Sequence, residues 1–124
     1  MPYKFLVRLT AVLFGGLCLG LLLVPGLFAA VFGLDPSTGA EVMARRAGMV
    51  FAGLAPLYLA LSRVTDPDLQ RGIARASLLM MAGLVLLGLL EWFAGRVGPG
   101  ILFPVVIEAI LVIGYAPHVL RQEA

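Results

Sequence analysis

Four charged residues, Arg45, Arg46, Glu91 and Glu108, interrupt long apolar stretches of this chain. A charge inside a membrane-length helix is costly, so such groups are usually paired in a bundle interior and often mark a site. Arginine is the cation best suited to that pairing, because its planar guanidinium can grip a carboxylate through two parallel hydrogen bonds. Two readings follow from these residues. One is an ion-paired clamp between helices with no ligand; the other is a polar pocket in which a spare arginine holds an anion or a polar head group.

The other chemistry-bearing residues are sparse. Cys18 is the single cysteine, which leaves no disulfide framework, CxxC redox pair or cysteine-built metal site within one chain. His118 is the single histidine and lies near the C-terminus, so no metal site is expected. Ser62 and Ser77 have no histidine nearby in sequence, and no glycine-rich phosphate loop occurs. No catalytic residue can be assigned, and the sequence identifies no cofactor.

The elements that must position the four charges are set by composition. Hydrophobic residues make up 61% of the 124 residues and charged residues 13%, against about 45–50% and about 25% in soluble domains. That apolar surface exceeds what one small core can hide, and the bilayer is its natural solvent. The net charge of +2 comes from scattered Lys and Arg with no basic run, so a nucleic-acid surface is not expected. The charge-free run from Leu9 to Leu34 is far longer than the ~7–15 residues of a signal-peptide apolar region, so it is read as a retained membrane helix.

Turn-forming residues divide the chain into four expected helices, about 5–28, 40–62, 69–94 and 101–120, in one domain over 1–124. Pro25-Gly26 should kink or loosen the end of the first, and the segment 33–39 closes the first connection. Glu41 suits the first turn of the second helix. Thr65 or Asp66 can cap the third, with Pro67 at an early helical position. Residues 95–100 break the third helix, and Pro104 is tolerated in the first turn of the fourth. The expected fold is an all-α integral membrane four-helix bundle with membrane lipid as its surroundings.

Orientation follows from the distribution of Lys and Arg. Lys4, Arg8, Arg63, Arg71, Arg75 and Arg121 fall on the side of the termini, whereas Arg45, Arg46 and Arg96 fall on the other. The positive-inside rule then places both termini in the cytoplasm. Trp92, Tyr3, Tyr115 and His118 read as interfacial residues. At ~1.5 Å per residue, Arg46 lies about 9 Å past the start of the second helix, Glu108 about 10 Å past the start of the fourth and Glu91 about 6 Å before the end of the third. All three depths are measured from the outer face, so the charges are expected to share a layer.

Helix association has its own signal. Ala40, Ala44, Gly48, Ala52, Pro56 and Ala60 recur every four residues, and Gly16 and Gly20 repeat that spacing in the first helix. Such small-residue stripes let backbones approach closely in lipid. The expected partner is another helix of this chain or of a second copy, and a different protein partner is also open.

Several of these features resemble one family. The first helix ends in Val24-Pro25-Gly26, the loop contains Phe32-Gly33-Leu34-Asp35, and the second helix opens with Ala44-Arg45-Arg46-Ala47-Gly48. Together with Glu108 in Val106-Ile107-Glu108-Ala109, these resemble the DoxX-like group of small bacterial four-helix membrane proteins, many of unknown function. The resemblance implies the four-helix fold, the bacterial inner membrane and an Arg–Glu contact between the second and fourth helices. Some members are associated with quinone-linked sulfur oxidation or redox maturation of partners; the lack of a cysteine pair speaks against thiol redox chemistry here.

The leading expectation is therefore a non-enzymatic inner-membrane bundle, acting as an accessory or scaffold subunit or as a lipid or small-ligand binder. A small transporter is the first alternative, for anionic or neutral solutes because the arginines would repel cations. A quinone-linked oxidoreductase subunit is the second.

Overall fold

The computed structural model describes residues 1–35 and 37–120; Pro36 of the first connection and Arg121, counted above on the side of the termini, lie outside them. Among the described residues there are five α-helices and no strand. They are α1 (Tyr3–Leu23), α2 (Pro25–Val31), α3 (Thr38–Leu61), α4 (Pro67–Phe93) and α5 (Leu102–Leu120), with a 3-10 turn over Pro99–Ile101 leading into α5.

Local chemistry explains the boundaries. Ser37 caps α3 by accepting from the Ala40 N–H at 3.0 Å, and Asp66 caps α4 by accepting from the Asp68 N–H at 3.1 Å, with Pro67 opening the helix. The expected first helix, about 5–28, is instead two. Pro25 brings no N–H to the ladder and forces the preceding residue out of helical geometry. Val24 accordingly sits at φ −135° and ψ 57°, and α2 starts afresh after it. The kink expected at Pro25-Gly26 is thus a full break.

Helices α1, α4 and the segment Pro99–Leu120 are long and apolar enough to cross a membrane. Their outward faces are apolar as well: Val12, Leu79, Phe93, Phe103 and Ile113 are all exposed. A helix that is apolar on every side suits lipid rather than water. The equally long α3 is not among them, because Glu41, Arg45 and Arg46 lie in its first half.

The helices associate as two close pairs, α1 with α3 and α4 with α5, joined by contacts between α1 and α5. The centre holds Leu6, Val7, Phe14, Met81, Leu111 and Tyr115, all without solvent exposure. Phe14 of α1 packs against Phe51 and Tyr58 of α3, with ring centroids 5.2 and 5.1 Å apart. At one end the Tyr3 hydroxyl donates to the Leu61 carbonyl at 3.0 Å, and the His118 ring meets the Met1 carbonyl at 2.7 Å. The start of α1 and the ends of α3 and α5 therefore gather there. At the other end the Gly98 N–H donates to the Phe32 carbonyl at 2.7 Å, joining the two far loops.

Two buried hydroxyl pairs cross this core. The Thr10 hydroxyl donates to the Leu6 carbonyl at 2.9 Å and lies 2.7 Å from the Tyr115 hydroxyl, linking α1 to α5. The Tyr58 and Ser77 hydroxyls meet at 2.8 Å and link α3 to α4. Tyr115 is thus no interfacial anchor, a correction with a simple cause. It lies seven residues after Glu108, on the same inward face of α5. A double-mutant cycle with Thr10→Val and Tyr115→Phe is expected to give a coupling between about 0.6 kcal/mol, the average for hydrogen bonds between membrane helices, and about 1.7 kcal/mol, their maximum. Additive single effects in a denaturant titration would refute that link.

Candidate functional site

The small-residue stripe of α3 meets α1 at one place. Gly48 is buried, and a Cβ there would stand 3.0 Å from Leu21 and 3.1 Å from Leu22. Ala44 and Ala52 flank it and are half-buried. The stripe does not continue inward. Positions four apart advance by about 40° on a helix of 3.6 residues per turn. Pro56 and Ala60 have consequently rotated out and are exposed. In α1, Gly16 is exposed with nothing within 4 Å of a notional Cβ, so it makes no close helix contact. Gly20 does admit a neighbour, but of another kind: the Phe28 ring of α2 occupies the space where a Cβ would lie. The break at Pro25 therefore lets α2 fold back and seat Phe28 against the end of α1.

Beside that contact lies a half-open cavity of about 300 Å³ lined by residues of α1, α2, α3, α4 and α5. Leu13 and Leu17 of α1, Phe28 of α2, Phe51 of α3 and Leu84 of α4 supply apolar walls. Glu91 of α4 and Glu108 of α5 are its polar side chains. Gly88 contributes by absence of bulk, since a Cβ there would come within 2.6 Å of Val105. A second cavity of about 250 Å³, walled by Phe103 and Ile107, shares Phe28 and Phe32 with the first. The two aromatic rings stand at the boundary of both spaces.

The four charges anticipated as one layer are divided. Glu91 and Glu108 line the same cavity. Arg45 and Arg46 are exposed on α3 beside Met43, Met49 and Leu22. Among the described residues the ion pairs are Arg71–Asp68 and Arg96–Glu91, each at 3.5 Å, and neither arginine of α3 takes part. The physical reason is angular. Arg46 lies about 160° around the helix from the inward Gly48, so equal depth does not bring it to Glu108. The cation that pairs with a cavity-lining glutamate is Arg96, an exposed residue just past α4 that meets Glu91 on its outer side.

Glu108 differs from Glu91 in its surroundings. It is only 8% exposed, pairs with no cation among the described residues, and its carboxyl oxygens are not sealed from the open cavity. Glu91 is 39% exposed at its side chain and already bound to Arg96. One carboxylate thus pairs with an exposed arginine at the surface, and the other borders the half-open apolar cavity without a partner among the described residues. The cavity itself, and the place of Phe28 and Phe32 in its lining, were not anticipated from sequence; the available signal was the Val24-Pro25 break, which turns residues 25–31 into a separate element. Among the described residues no three His, Cys, Asp or Glu converge as a metal site would require. Set against known proteins, the chain matches no family model, no curated protein and no solved structure.

Proposed function

We propose that this chain is an integral four-helix protein of the bacterial inner membrane, with both termini cytoplasmic, that binds an apolar small molecule or lipid in the cavity beneath α2. In this reading α1, α3, α4 and α5 are the four spans, and α2 is a short cover at the outer end. The observation that carries the reading is the cavity of about 300 Å³ with an unpartnered glutamate in its wall. Such a volume sits at the low end of the roughly 300–1,000 Å³ of small-molecule sites, which are mostly apolar with a few polar groups. The DoxX-like resemblance of the Val-Pro-Gly, Ala-Arg-Arg-Ala-Gly and Glu108 segments supports the same fold. A role as a ligand-holding accessory subunit of a larger membrane assembly fits the lack of a nucleophile and base arrangement.

The alternative of a small transporter was confined to anionic or neutral solutes because arginines at the depth of the glutamates would repel cations; Arg45 and Arg46 do not line the cavity, so that restriction on the solute falls away. Native mass spectrometry from mild detergent tests the proposal. The wild-type chain is expected to retain a small molecule that Leu84→Trp, which fills the cavity, fails to retain. Identical ligand-free spectra for both proteins, under conditions that keep the fold, would count decisively against it.

A further inference from the structure

We infer that the occupant of this cavity is a lipophilic cation, an apolar body carrying one positive charge that sits against the Glu108 carboxylate. The inference rests on the ligand-binding reading above and adds the chemical class. Its first support is the donor and acceptor inventory of the walls. The side chains lining the cavity are Leu, Phe, Val, Ile, Pro, Gly and Glu, so its polar groups are two carboxyls and no cationic side chain lines it. With Glu108 ionised, an anion meets like charge, whereas a cation meets its counter-charge.

The second support is the division of labour between the glutamates. Arg96 already pairs with Glu91 at 3.5 Å, which leaves Glu108 as the cavity carboxyl without a cation among the described residues. Within low-dielectric walls that attraction is far less screened than in water. The third is aromatic. Phe28, Phe32 and Phe51 border the same space, and ring faces attract cations within about 6 Å.

The test uses the full chain in phosphatidylcholine nanodiscs, with empty nanodiscs subtracted, and radiolabelled decylammonium, decanol and decanoate as chain-matched probes. Decylammonium is expected to bind at least about tenfold more tightly than the other two. Glu108→Gln should weaken it by roughly 10- to 100-fold, the range for losing a hydrogen bond to a charged group. Asp68→Asn, at an exposed position of the first turn of α4, should leave it unchanged. Circular dichroism and thermal melting verify that each variant folds. Equal affinity for decanol or decanoate, or full affinity in Glu108→Gln, overturns the cationic assignment. If Leu84→Trp still abolishes binding in that case, the cavity reading stands and only the ligand class fails. If Leu84→Trp changes nothing, or no probe binds, both fall.

Discussion

Gly33→Ala is expected to destabilise the protein by about 3 kcal/mol, one of the largest effects available to a single methyl group in this chain. Two costs combine. Gly33 has φ +70°, a left-handed conformation that costs a residue with a Cβ roughly 1–2 kcal/mol. The added Cβ would also stand 2.6 Å from the Gly98 nitrogen and 2.8 Å from its Cα. Those are backbone atoms, so no rotamer change relieves the overlap, and overpacking of this kind adds roughly 1–3 kcal/mol. The contact matters because the Gly98 N–H donates to the Phe32 carbonyl at 2.7 Å, tying the loop after α2 to the loop after α4. Pushing them apart loosens the end of the molecule that carries the cavity. Gly39→Ala is the control, since nothing lies within 4 Å of that position and it is helical. It should be neutral or stabilising by about 0.5–1 kcal/mol. Thermal unfolding in detergent distinguishes the two variants, and matching midpoints for Gly33→Ala and wild type would exclude the loop contact.

The second large effect is expected at Phe14→Ala, with a loss of about 3 kcal/mol, the lower end of the roughly 3–5 kcal/mol seen for buried Phe→Ala. Phe14 has no solvent exposure and touches α3 through Phe51 and Tyr58. In lipid no hydrophobic force draws helices together, so van der Waals contact between well-fitted side chains carries much of the association. Removing the ring deletes those contacts at the α1–α3 seam, where the closest small-residue approach at Gly48 is also found. Phe93→Ala supplies the comparison: that ring is 75% exposed at the end of α4 and should cost far less. Titration with a denaturing detergent, followed by far-UV circular dichroism, reads both. A Phe14→Ala midpoint no lower than that of Phe93→Ala would overturn the assignment of Phe14 to the centre of the fold.

The helix positions were legible in the sequence because their causes are local. Ser37, Asp66 and Pro67 act on their own turns, and the lengths of the apolar runs match what a bilayer crossing needs. The break at Val24-Pro25 was legible as a disturbance, but not as the start of α2. A proline announces the lost hydrogen bond without saying where the chain goes next. The stripe on α3 was legible in spacing and misjudged in length, since a period of four drifts around a helix of 3.6 residues per turn.

The candidate site divides along the same line. Sequence alone gave an expected height for each charge along its helix, because rise per residue is a constant of the helix. It could not determine the direction each one faces, since azimuth depends on which side of a helix its neighbours cover. Only the tertiary arrangement turned Glu108 and Tyr115 inward, left Arg45 and Arg46 outside, and brought Arg96 to Glu91. The cavity likewise belongs to no single segment. It exists because α2 folds back over Gly20 and seats Phe28 there, a consequence of packing between elements that no local pattern encodes.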